Sequence, residues 1–286
     1  MRGWRLAAAA AAVALAGCGE PPPTAPAAVR RVVSLAPSCT EIVWALGAGD
    51  RLVGVCAHCD HPPAVASLPR VGGYLAPSAE AVIGARPDVV FAVPSPGNHD
   101  AVRAVEAAGI RVVVVEEHTL DEVWAGMRAI AAALGLAAEG ERLVARVQAE
   151  LEAVRRRVAG RPVRRALLVV GHAPLVAAGP GTLQDELLRI AGGENVAAVT
   201  GALWPRLAVE MVVATAPDVI VDAAMGGERG DASVFASLTT VPAVRNGRIV
   251  PIAGGAFYRA GPRVGEAAAQ LAAALHPETA PAAGAR

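Results

Sequence analysis

Ala79-Glu80-Ala81-Val82-Ile83-Gly84-Ala85-Arg86-Pro87-Asp88-Val89-Val90-Phe91 and Val209-Glu210-Met211-Val212-Val213-Ala214-Thr215-Ala216-Pro217-Asp218-Val219-Ile220-Val221 are one phrase written twice. Each copy runs from a Glu through a short apolar helix and a Pro-Asp turn into an apolar β run. The Pro follows the Glu by seven residues in both copies, and every position of the second copy is numbered 130 above its counterpart. A single internal repeat of this kind predicts two lobes of similar build. It also sets one carboxylate at the same point on each lobe. Two matched acidic points suit docking to a partner that presents two matched basic points.

Outward from the repeat, strands and helices alternate. Residues 31–35 read as a strand, and Ser38 with Glu41 has capping-box spacing that starts a helix running to Leu46. Strands follow at 52–55, 89–92 and 112–115, with helices at 80–85 and 100–108, the latter closed by Gly109. This is the pattern of a parallel α/β sheet. A long helical region then covers 120–159, in whose second half Leu143, Val144, Val147, Leu151, Val154 and Val158 recur at helical spacing. Gly160-Arg161-Pro162 ends it. A helix of roughly 20 residues spans about 30 Å, enough to cross between two lobes. The second lobe is predicted to hold strands at 166–170, 219–221 and 249–252, and helices at 183–191 and 262–275. The expected organisation is an N-terminal α/β lobe over 31–137, a connecting helix over 138–160, a C-terminal α/β lobe over 161–276 and a frayed tail over 277–286.

The chain has 286 residues, 54% hydrophobic and 18% charged, which is enough for two domains with cores and excludes a disordered chain. Its formal net charge of zero argues against nucleic-acid binding. There is no Lys, so Schiff-base and P-loop lysine chemistry are excluded. Arg2 and Arg5 followed by the apolar stretch 6–16 form a targeting segment too short for a mature membrane span. Leu15-Ala16-Gly17-Cys18 resembles the lipobox of bacterial lipoproteins, which implies that Cys18 is lipidated after removal of the segment over 1–18. The Pro-rich stretch 19–30 then reads as a tether to the membrane. Cys39, Cys56 and Cys59 remain, and an oxidising compartment predicts one disulfide and one free thiol among them.

Several segments together resemble one family. Arg31-Val32-Val33-Ser34-Leu35-Ala36-Pro37-Ser38 with Thr40-Glu41, then Asp60-His61-Pro62-Pro63, Val71-Gly72-Gly73 and Arg86-Pro87-Asp88, occur in the order found in class III, helical-backbone substrate-binding proteins of ABC importers. Gly192-Gly193-Glu194-Asn195, Trp204-Pro205, Ala216-Pro217-Asp218 and Arg259-Ala260-Gly261-Pro262-Arg263 continue the pattern. Among subfamilies the chain looks most like the vitamin B12-binding proteins. The resemblance implies two Rossmann-like lobes with parallel sheets, joined by one long rigid helix, with a ligand cleft between them. It implies that Glu80 and Glu210 dock on the permease dimer of an ABC importer, whose separate ATPase hydrolyses ATP. The expected protein is a monomer held to the membrane by its lipid anchor, with no intrinsic cofactor and no enzymatic activity.

Ligands of parallel α/β lobes sit at the carboxyl ends of the strands. That rule selects loops carrying His58, Tyr74, His172, Trp204, Phe257, Tyr258 and Arg259. Aromatics are only 3% of the chain, so their presence in these loops points to a flat, partly apolar ligand. In the B12-binding subfamily, aromatics matching Tyr74 and Trp204 pack on the corrin; Tyr74 stands where some members carry Trp. Arg259 or Arg263 is expected to bond polar groups of the ligand, while Trp44 and Trp124 are expected in the core. The run Cys56-Ala57-His58-Cys59-Asp60-His61 leaves three readings open: a structural disulfide, with Cys39 and Cys59 as the pair; a ligand contact, including axial cobalt ligation by His58; and an independent metal site. Cobalamin or a related corrinoid is thus the leading ligand. Haem or a ferric siderophore on the same fold is the nearest alternative, and a metal-dependent or thiol enzyme built on Cys56, His58 and Asp60 the remote one.

Overall fold

Val32 and Val33 show how each sheet is fixed in place. Successive strand side chains point to opposite faces, so Val32 enters one apolar cluster and Val33 another. The computed structural model describes residues 28–224, 232–252 and 254–279. The targeting segment with Cys18, most of the tether and the end of the tail lie outside the described residues.

The first half builds β1 (Val32–Ser34), α1 (Pro37–Ala45), β2 (Leu52–Val55), α2 (Ala79–Gly84), β3 (Val89–Ala92), α3 (His99–Ala107) and β4 (Arg111–Val114). Its four strands pair in the order β2-β1-β3-β4, all parallel. Two helices follow, α4 (Leu120–Ala133) and α5 (Ala137–Val158). The second half holds β5 (Arg164–His172), β6 (Leu175–Ala177), α6 (Leu183–Ile190), β7 (Gly193–Asn195), α7 (Val209–Thr215), β8 (Val219–Asp222), α8 (Pro242–Arg245), β9 (Ile249–Pro251) and α9 (Val264–Leu275). Here β6-β5-β8-β9 is the strand order, with β7 also paired to β5. β6 runs antiparallel to β5, and the other pairings are parallel.

The repeat is visible in the backbone. Arg86 and Ala216, at equivalent points, both adopt positive φ, +46° and +43°. This left-handed residue turns the chain out of the helix so that the following Pro-Asp can enter a strand. Asp88 then accepts from the Arg31 amide at 2.9 Å, and Asp218 from the Arg165 amide at 3.1 Å. The Arg31 and Arg165 side chains donate in turn to the carbonyls of Ala85 and Thr215. Each copy therefore ties the end of its helix to the start of the first strand of its lobe. The amides of Arg30 and Arg31 hold the Asp88 carboxyl below the usual carboxylate range.

Three apolar clusters organise the layers. Val33, Val90 and Ala92 pack with Val82 of α2 and Val105 of α3 on one face of the first sheet. Leu167, Val169 and Ile220 pack with Val212 of α7 and Phe235 on the matching face of the second. The remaining faces share one cluster, in which Val32 and Phe91 of the first sheet and Leu168 and Val221 of the second join α4, α5, α6 and α9. The 22 residues of α5 bury Leu143, Val144, Val147, Leu151, Val154 and Val158 there, the stripe read from the sequence. Trp124 is buried and Trp44 partly buried against the same cluster.

Three expectations need correction. Ser38 does not cap α1; the helix begins earlier, with Pro37 in its first turn and no side-chain cap on Ala36. The helical region over 120–159 is two helices, broken where Gly135 takes φ +74°. The second sheet is not wholly parallel, because β6 folds back on β5 as an antiparallel strand.

Candidate functional site

Loops that follow β2 and β9 meet. Arg259, in the loop ahead of α9, reaches across to the loop after β2, donating to Asp60 and, at 3.3 Å, to the His58 carbonyl. The first amide of α4, Leu120 N–H, donates at 2.7 Å to Glu186 Oε2 of α6.

Tyr74 and Trp204 occupy equivalent places in the repeat, each six residues ahead of an exposed Glu in the first turn of a helix, Glu80 in α2 and Glu210 in α7. Trp204 is 48% exposed, and Tyr74 is partly buried against the shared core. Beside them Leu75 and Leu203 are also exposed, so each rim presents an apolar pair. Both rim loops rest on glycines. A Cβ on Gly97 would strike the Leu75 carbonyl, and one on Gly179 the Ala202 carbonyl. The Gly179 amide donates to the Leu203 carbonyl at 2.7 Å, which fixes the loop carrying Trp204.

Arg259 and Arg263 are not free in the cleft. Arg263 donates through Nε and Nη2 to the two oxygens of Glu41, at 2.9 and 2.8 Å, and Arg259 adds a third bond to Glu41 at 3.1 Å. Glu41 lies on α1 and is 3% exposed. This paired carboxylate clamps the second half of the chain onto the first. Its hydrogen bonds to Asp60 and then Glu41 raise the Arg259 guanidinium further above its ordinary value. A hollow of about 330 Å³ opens beside the clamp, and one of about 380 Å³ lies between α5 and α6; neither is lined by Tyr74 or Trp204.

Phe257, expected in the cleft, is 1% exposed and belongs to the core, with the Tyr258 ring packed edge-on against it at 5.4 Å. Tyr258 stays partly exposed, and burial together with nearby Asp222 pushes its hydroxyl up to about 12. Asp222 and His172 end β8 and β5. His172 Nε2 lies 3.0 Å from Asp222 Oδ1, which also accepts from the Ala224 amide. Asp222 Oδ2 is buried with no hydrogen-bond partner among the described residues. On the facing lobe, Glu117 follows β4 and accepts from the Ser38 hydroxyl at 2.7 Å. Burial raises its carboxyl above the ordinary range against the pull of Ser38. Tyr74 is pushed up to about 12, first by burial and then by Glu117 and the nearby cysteines.

The cysteine loop differs from expectation. All three thiols are free and buried, and no bond joins Cys39 to Cys59. Cys59 Sγ instead lies 2.7 Å from Cys56 Sγ and accepts from Thr40 Oγ1 at 3.1 Å. Arg70 donates to the carbonyls of both Cys56 and Cys59, which holds the loop closed. His58 is exposed, while Asp60 is taken by Arg259. Cys56, His58 and Asp60 therefore do not converge. Among the described residues no group of three or more His, Cys, Asp or Glu is placed to hold a metal ion.

A family model described as periplasmic binding protein matches residues 32–253. The vitamin B12-binding protein of Salmonella typhimurium strain LT2 is 30% identical over 249 residues, covering 87% of this chain and 91% of that protein. Among solved structures, the apo periplasmic heme-binding protein RhuT of Roseiflexus sp. RS-1 superposes with a TM-score of 0.76 at 30% identity, covering 88% of this chain and all of that one. The periplasmic vitamin B12-binding protein BtuF of Vibrio cholerae shares the fold, with a TM-score of 0.74 at 24% identity over 86% of this chain and 96% of that one. The chain belongs to the periplasmic binding protein family and has its two-lobed fold; it is a binding protein, not an enzyme. Among the described residues no helix is long and apolar enough to cross a membrane.

Proposed function

We propose that this member of the periplasmic binding protein family captures cobalamin or a related corrinoid and delivers it to the permease of an ABC importer. The observation that carries the reading is the doubled arrangement of an aromatic rim residue six positions ahead of an exposed carboxylate, Tyr74 with Glu80 and Trp204 with Glu210. One member of each pair faces a ligand and the other a partner, once per lobe. Two flat faces on opposite rims suit a large ring gripped by its edges. Tyr258 and exposed His58 extend the contact surface. Glu80 and Glu210 meet two basic points on a two-fold permease. Exposed ion pairs are worth about 0–1 kcal/mol each, so they set orientation and encounter more than affinity. The helical region over 138–160 separates the lobes 31–137 and 161–276, and lipidated Cys18 tethers the monomer to the membrane.

The same fold carries haem in relatives such as RhuT. Tyr74 and His58 are the groups that would serve a haem iron as axial ligands under that reading. Calorimetric titration with cyanocobalamin tests the proposal. One-to-one binding in the nanomolar to low-micromolar range supports it. Absence of heat and of any thermal shift, with a Soret band on adding haemin, replaces the corrinoid with haem.

A further inference from the structure

We propose that Glu117 is a specificity-determining residue, which sets the cleft for an uncharged ring rimmed by hydrogen-bond donors and against a ring edged with carboxylates. The inference rests on the corrinoid reading above and assigns how that ligand is told from other tetrapyrroles.

Glu117 lies three residues beyond β4, in the loop at its carboxyl end, bonded to Ser38 and near Tyr74. Ser38 donates to Oε2, and Oε1 has no partner among the described residues. Among the described residues no arginine is hydrogen-bonded or ion-paired to Glu117, whose partner is Ser38. The arginines nearest the cleft are committed elsewhere. Arg259 and Arg263 are tied to Glu41 and Asp60, and Arg70 to two backbone carbonyls. Arg206, two residues beyond Trp204, is exposed. Across the cleft, Asp222 adds a second buried carboxylate beside His172.

Around Glu117 the described side chains therefore offer acceptors and neutral hydroxyls, with no guanidinium bonded to its carboxylate. A haem carries two propionates, and a ferric catecholate carries several negative charges. Each would meet like charge here in a partly desolvated setting, where repulsion is least screened. A corrinoid is edged with primary carboxamides, whose N–H groups donate to a carboxylate in charge-assisted hydrogen bonds. The cleft thus discriminates by what it repels as well as by what it grips.

The test compares two ligands that share one ring: dicyanocobinamide, edged with amides, and dicyanocobyrinic acid, edged with carboxylates, with haemin as a third. Titrations use the full chain and its Glu117→Gln variant, whose fold is checked by thermal melting. Wild type should prefer the amide-edged ring by at least about 100-fold. Glu117→Gln should narrow that ratio about tenfold, or about 1.4 kcal/mol, by weakening the amide ligand and admitting the acid. Should Glu117→Gln not fold, Glu117→Ala takes its place with the same expectation. An unchanged ratio in the variant overturns the role of Glu117 while leaving a corrinoid receptor standing. Equal wild-type affinity for the two corrins overturns charge selection by the cleft, again without touching the corrinoid reading. Tight haemin binding with neither corrin bound overturns both.

Discussion

Arg263→Ala removes two of the three hydrogen bonds received by Glu41, at 2.9 and 2.8 Å, and leaves only the 3.1 Å bond from Arg259. Glu41 is 3% exposed, so water cannot readily replace the lost donors. Taking one partner from a buried ion pair costs about 3–5 kcal/mol, chiefly because the remaining charge stays buried. With Arg259 still in place and the Arg263 side chain 19% exposed, the low end applies, about 3 kcal/mol. At this chain length that lowers Tm by roughly 6–12 °C. A thermal and urea double-mutant cycle over Arg263→Ala, Glu41→Ala and the double variant isolates the pair. The double variant should be less destabilised than the two single variants summed, by at least about 1 kcal/mol. A loss under about 0.5 kcal/mol for Arg263→Ala, or additive single variants, would refute the view that this clamp holds the halves together.

Trp204→Ala should weaken cyanocobalamin at least about tenfold by removing a ring face, as read by calorimetry; unchanged affinity would take Trp204 out of the ligand site. Glu80→Ala combined with Glu210→Ala should leave ligand affinity and Tm within error and abolish uptake in a reconstituted importer, whereas lost ligand binding would sink the docking assignment. Gly179→Ala drives a Cβ into the Ala202 carbonyl and should cost about 2 kcal/mol or more, against near-neutral Gly84→Ala, where nothing lies within 4 Å; equal melting points for the two would contradict the packing. Asp88→Asn should cost about 1 kcal/mol at neutral pH. The folded pKa of Asp88 is depressed by the amides of Arg30 and Arg31, so its contribution is present above the unfolded carboxylate range and vanishes as pH falls through the depressed value. Urea midpoints of wild type and variant should therefore converge in acid.

Wherever the controlling physics is local, the sequence was readable. The strand at 89–92 and the buried stripe of α5 follow from apolar period alone. The repeated Pro-Asp turns are recognisable because a left-handed residue before Pro and an Asp bonding backward recur as a unit. The start of α1 was misread because Pro37 favours the first helical turn, which moves Ser38 inside the helix and frees its hydroxyl for Glu117. Arg259 was expected to meet ligand, yet its carboxylate partners sit 199 and 218 residues away, a distance across which spacing says nothing. Phe257 was assigned to the cleft for being an aromatic in a loop, and no local signal distinguishes a loop aromatic that turns inward from one that turns out. Glu117 was legible but overlooked: the strand-end rule applied to the loop after β4 selects it. The pairing of Cys56 with Cys59 was likewise a choice among three sulfurs that only the closing of the loop by Arg70 narrows.

The apolar cluster shared between the two sheets bears on how the molecule comes apart. Each half owns one private apolar layer, and the third layer is common to both. Here Phe91 and Leu168, from opposite halves, belong to one apolar cluster with α4, α5, α6 and α9. Neither sheet can be stripped of its inner layer without dissolving that of its neighbour. Calorimetry should accordingly record a single endotherm. Whatever occupies the cleft then tightens both halves at once, so that capture of one small molecule is felt as slower amide exchange on the far side of each sheet.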